Sequence, residues 1–101
     1  MNNTMTGELW MFNVDCPSAD RVFLVEDCLE GLSTWHEMQK SADGVWEMAY
    51  QLSPGRYRFR YYAAEGRTFL NCGTYGLSAR RLKGYDPQVQ VEAVELFAKT
   101  A

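Results

Sequence analysis

The stretch Arg56-Tyr57-Arg58-Phe59-Arg60-Tyr61 sets an arginine and an aromatic ring at alternate positions. Successive side chains of a strand point to opposite faces, so the three guanidiniums share one face and Tyr57, Phe59 and Tyr61 the other. Two readings of that arginine face stand side by side. It can be solvated charge, which also keeps a sheet edge from pairing with another sheet. It can also grip a ligand.

Other chemistry has few candidates. His36 is the only histidine, and no Ser or Cys near it forms a nucleophile motif, so it reads as a surface residue beside Trp35. Glu26 and Asp27 are adjacent, and in a strand they face opposite sides and cannot act on one substrate. Glycosidase chemistry needs two facing carboxylates around a deep site. Neither a glycine-rich phosphate cradle nor a zinc spacing is present. Cys16, Cys28 and Cys72 lack a C-x-x-C spacing and read as small buried hydrophobes. The chain is expected to be no enzyme and to need neither metal nor cofactor.

The elements that position these residues are strands. Glu8-Leu-Trp-Met-Phe-Asn-Val14 places Trp10, Phe12 and Val14 on one face, and Arg21-Val-Phe-Leu-Val-Glu-Asp27 is an apolar run of buried-strand type. His36–Lys40 reads as a short strand, and Ser41-Ala-Asp-Gly44 as a turn. Residues 45–52 alternate and lead through Ser53-Pro54-Gly55 into the arginine run, which predicts a hairpin of 45–52 with 56–62. Ala63–Gly66 reads as a turn and Arg67–Cys72 as a return strand. Residues 73–87 read as an irregular connection with a helical turn around Leu77–Leu82, and Gln88–Phe97 as a closing strand. The expected core is Trp10, Phe12, Phe23, Val25, Trp46, Tyr57, Phe59 and Val91.

At 101 residues the chain has room for one domain, residues 1–101. About seven short strands separated by turns predict an all-β, antiparallel β-sandwich. Ten Lys and Arg against thirteen Asp and Glu give a net charge of −3, which offers no basic field for nucleic acid. No apolar stretch approaches the roughly 20 residues that cross a bilayer, and the first residues lack the features of a signal peptide, so a cytoplasmic, membrane-free protein is expected. Three Trp, six Tyr and five Phe are more rings than a core of this size needs.

The order Ala19-Asp-Arg-Val-Phe-Leu-Val-Glu-Asp27, Asp43-Gly-Val-Trp46, Leu52-Ser-Pro-Gly-Arg-Tyr-Arg-Phe-Arg-Tyr-Tyr62 and Gly66-Arg-Thr-Phe-Leu-Asn71 resembles the family-48 carbohydrate-binding modules. These are also called isoamylase N-terminal or early-set domains, and they include the glycogen-binding domain of the AMP-activated kinase β subunit. The resemblance covers about residues 8–72 and implies an immunoglobulin-like (early-set) sandwich that binds α-1,4-glucan such as glycogen or starch. It sets Arg58, with Arg60 beside it, at a position where the kinase module carries a sugar-contacting lysine. Phe69, followed by Leu70 and Asn71, falls at the second platform tryptophan; by residue type alone Phe69 reads as core. The family's Gly-Asp-Phe-Asn-x-Trp segment is Glu26-Asp-Cys-Leu-Glu-Gly-Leu32 here, which keeps Asp27 and lacks the tryptophan. Trp35 either takes that place or packs down on the sandwich. Tyr85 and Asp86 stand where the family has a late Leu, Thr and Asn.

The expected sugar-binding residues are therefore Trp35, Arg58, Arg60, Phe69 and Asn71. The expected partner is an α-glucan polysaccharide or a separate glucan-metabolising enzyme. The alternative is a protein-interaction or regulatory module of the same fold without a sugar site. A homodimer, if one forms, is expected through an exposed sheet face or an edge strand.

Overall fold

The computed structural model of the chain describes residues 7–28, 31–74, 76–92 and 95–96, with backbone alone at 28, 71–73 and 95–96. Among these residues there are ten strands and no helix, and thus none that is long and apolar enough to cross a membrane. The strands are β1 (Glu8–Val14), β2 (Arg21–Cys28), β3 (Ser33–Glu37), β4 (Gln39–Lys40), β5 (Trp46–Leu52), β6 (Gly55–Glu65), β7 (Thr68–Gly73), β8 (Leu77–Lys83), β9 (Val89–Glu92) and β10 (Glu95–Leu96).

They form a β-sandwich. One sheet runs β10-β8-β1-β5-β4, and the other β3-β2-β6-β7, with β9 also paired to β6. Strands β1, β2, β4, β5, β6 and β7 occupy the places of B, C, D, E, F and G in an immunoglobulin sandwich, whose sheets are ABED and CFG. The place of A, beside β1, is filled by β8. The pairings are antiparallel except at the end of the chain, where β9 runs parallel to β6 and β10 parallel to β8. The expected all-β sandwich is thus present, with ten strands among the described residues where about seven were expected.

The core follows the alternation. Trp10, Phe12 and Val14 from β1 meet Val22 and Leu24 from β2, Trp46 and Leu52 from β5, Tyr57, Phe59 and Tyr61 from β6, and Leu77 and Ala79 from β8. Phe12 and Phe59 touch across the two sheets with ring centroids 4.4 Å apart. Burying such a ring contributes about 1.5–3 kcal/mol. Val91 is partly buried and packs against this cluster.

Several expectations need correction. Residues 46–52 and 55–65 are strands, but they do not pair with each other: β5 bonds to β1 and β4, and β6 to β2, β7 and β9. Alternation assigns each strand a face and leaves its neighbour open, so Ser53-Pro54-Gly55 is a corner between sheets instead of a hairpin. Tyr57 fixes that corner by donating its hydroxyl hydrogen to the Ser53 carbonyl at 2.9 Å, the tyrosine-corner arrangement of immunoglobulin-type sandwiches. The short strand expected at His36–Lys40 divides at buried Met38, with β3 in one sheet and β4 in the other. The turn expected at Ala63–Gly66 is tighter, because β6 continues to Glu65 and Gly66 turns the chain at φ 60°. The helical turn expected around Leu77–Leu82 is strand β8, since Leu77 and Ala79 are inward on a period of two. Phe23 is not core: it points away from the partner sheet, beside Trp35.

Candidate functional site

The outer face of the β3-β2-β6-β7 sheet gathers most of the sequence-derived residues. Tyr57, Phe59, Tyr61 and Ala63 of β6 are buried, so Arg56, Arg58, Arg60 and Tyr62 stand on the other side. From β2 the same face receives Arg21, Phe23, Val25 and Asp27, and β3 contributes Trp35. Phe69 enters from β7, opposite Ala64.

Four rings make a row across the sheet. Phe23 and Trp35 have centroids 5.9 Å apart, Trp35 and Tyr62 4.7 Å with planes only 12° apart, and Tyr62 and Phe69 5.1 Å. These separations lie in the range of favourable aromatic pairs. Trp35 is 50% exposed and Phe69 68% exposed, so both offer apolar surface to solvent. Trp35 packs on Phe23 and Tyr62 and stays half open. Phe69 is not core, because the register at Ala64 turns it outward.

The charged groups are held by carboxylates. Arg60 donates from Nε to Asp27 Oδ2 at 2.7 Å and, more weakly, from Nη2 to Oδ1 at 3.4 Å, and Ser33 donates from Oγ to Oδ1 at 2.6 Å. The hydrogen bond from Arg60 holds the Asp27 carboxyl below its usual range, aided by Ser33 and opposed by partial desolvation. The same bond raises the Arg60 guanidinium. Arg60 also lies 5.7 Å from the Tyr62 ring centroid. Arg56 and Arg58 share Glu92 of β9, at 3.2 and 3.6 Å. At the far end Arg21 grips Glu37 at 3.1 Å and covers the Phe23 ring at 4.9 Å.

Trp35, Arg58, Arg60 and Phe69 are therefore brought onto one face. Asn71 lies in β7 opposite Ala63, and its side chain is outside the described residues. Sequence reasoning missed Tyr62, Phe23 and Glu92 as members of this face. The signal for Tyr62 was present in the alternation itself, since Tyr62 has the parity of the arginines and not of the core rings.

Glu26 and Asp27 do face opposite sides. Glu26 points between the sheets, where its Oε1 is 3.3 Å from Nε2 of His36. His36 is not a surface residue: its ring packs on Tyr50 of the other sheet at 4.6 Å. Burial, and then the hydrogen bond to Glu26, push the Tyr50 phenol up to about 12. Among the described residues no buried side-chain polar atom of this cluster lacks a partner.

The Tyr85 and Asp86 segment serves the frame. Asp86 accepts from the backbone N–H of Gly7 and Gln88, and its own N–H donates to Glu8 at 2.7 Å. Tyr85 is exposed and lies against Arg81. Cys16 is a free, partly buried thiol against the core, and the side chains of Cys28 and Cys72 lie outside the described residues. Among the described residues no group of three or more His, Cys, Asp or Glu side chains is placed to hold a metal ion. Comparison with known protein families, with curated proteins and with solved structures finds no match to this chain.

Proposed function

We propose that the chain is a non-catalytic carbohydrate-binding module of family-48 type, with α-1,4-glucan as ligand, working in the cytoplasm. The observation that carries this reading is the exposure of Trp35 and Phe69 in one ring row, on the same face as Arg58 and Arg60. Glucose offers C–H groups on its ring faces and hydroxyls around its rim. A binding face for it needs open apolar rings flanked by donors and acceptors, and the Arg60–Asp27 pair supplies both kinds beside Tyr62. Asn71 is included in the proposed site on the family resemblance alone.

One observation favours a second reading, a protein-interaction or regulatory surface. Each arginine of β6 on this face already has a carboxylate partner, and Leu70 and Leu32 are exposed besides the rings. Trp, Tyr and Arg are also the residues that anchor protein interfaces. The partner in that case is a separately encoded glucan-metabolising enzyme.

Native affinity electrophoresis through glycogen or amylopectin separates the two. Retardation of the parent that Trp35→Ala and Phe69→Ala each weaken supports the glucan module, with at least about 1 kcal/mol lost per stacked ring. Unchanged migration of the parent in both gels rejects it in favour of the protein partner.

A further inference from the structure

Trp35 belongs to β3, the outermost strand of its sheet among the described residues, so among these residues one side of the indole has no neighbouring strand to hold it. A large exposed ring on such an edge would sample several rotamers, and a ligand would have to order it on binding. The structure contains a brace against this. Tyr62 comes from β6, with β2 lying between it and β3, yet the two rings meet at 4.7 Å and are nearly parallel.

The residue between them on β2 fits this arrangement. Val25 has the outward parity of Phe23 and Asp27, and it lies opposite Trp35 on one side and Arg60 on the other. It is nevertheless 0% exposed and stands apart from the inter-sheet core cluster. With Trp35 and Arg60 as its register partners, its burial is consistent with cover from the outer face. Tyr62 is in turn held by Phe69 at 5.1 Å and by Arg60, which Asp27 fixes at 2.7 Å.

We propose that Tyr62 is the positioning residue of this face: its ring, stacked on Trp35 across β2, holds the indole ready for ligand. The proposal rests on the glucan reading above for its ligand, and on the ring geometry alone for its mechanism. The ring is what the mechanism needs. Arg60 lies 5.7 Å from the centroid of the same ring and is held independently by Asp27.

The test uses the full chain, with Tyr62→Phe to keep the ring and Tyr62→Leu to remove it while leaving an apolar cover over Val25. Two readouts are taken: the Trp35 indole N–H resonance, assigned by its loss in Trp35→Phe, and retardation by glycogen. Tyr62→Phe should leave both close to the parent. Tyr62→Leu should shift the Trp35 resonance, by loss of the neighbouring ring current, and weaken glycogen binding about two- to tenfold, the range expected for ordering one side chain. A Tyr62→Leu protein with an unmoved Trp35 resonance overturns the proposal, as does one bound as tightly as a parent that glycogen retards. A parent that glycogen does not retard rejects the glucan reading, and the resonance then still decides whether Tyr62 holds Trp35.

Discussion

The carboxylate of Glu8, 1% exposed, accepts the indole N–H of Trp10 two residues along the same strand at 2.8 Å. Its second oxygen accepts the Asp86 N–H, and Arg81 lies 3.4 Å away. A carboxylate buried in this way is tolerated because its acceptor sites are occupied. Glu8→Ala should cost about 2–4 kcal/mol, because it leaves buried donors without partners. Urea unfolding measures this, and Glu8→Gln should lose less, since it keeps one acceptor oxygen.

Trp46 is buried and donates its indole N–H to the Cys16 carbonyl at 3.1 Å. Trp46→Ala should destabilise the fold by about 3–5 kcal/mol. A loss under about 1 kcal/mol in the same urea experiment would show that Trp46 is not part of the core.

How much of this was legible in the sequence depends on which relation is asked about. The period of two in Trp10, Phe12 and Val14, and again in Tyr57, Phe59 and Tyr61, states which side chains go inside. It says nothing about which strand lies next door, and that is why Pro54-Gly55 reads as a hairpin turn when it is a corner. Tyr57, two residues after Gly55, was the better signal, because its hydroxyl needs a partner and finds one at Ser53. β8 was obscured by its second half, where Arg80, Arg81 and Lys83 interrupt the apolar alternation begun by Leu77 and Ala79. For the site, Trp35, Phe69, Arg58 and Arg60 could be named from residue type and order. The stacking of Trp35 on Tyr62 could not, since it requires knowing that β3 and β6 flank β2.

The acid limb of stability should depend on Asp27. Its carboxyl titrates lower in the folded protein than in the unfolded chain, so the Arg60 pair contributes fully above the ordinary carboxylate pKa near 4 and is lost as pH falls through the lowered value. Asp27→Asn should therefore be less stable than the parent at neutral pH, and the gap should close as the pH is lowered through the acid range. Urea midpoints across that range give the comparison, and a gap constant with pH would reject this role.

The alkaline limb should depend on Tyr50. With the folded phenol at about 12 and the unfolded one at 10.0, its contribution is complete below 10 and lost as pH rises toward 12. Ultraviolet titration should show a phenol ionising near 12 that is missing from Tyr50→Phe. The variant should also lose part of the alkaline decline in stability.

The position of β1 bears on how the chain reaches this structure. Val14 is paired with Trp46 on one side and with Leu77 on the other, so the central strand of its sheet has no neighbour close in sequence. Long loops must close before either pairing can form, which places such a topology among the slower folders, in the millisecond-to-second range. During synthesis the side of β1 that β8 later covers stays open until residues 77–83 have emerged. In that interval the nascent chain presents an unpaired edge to any other strand it meets.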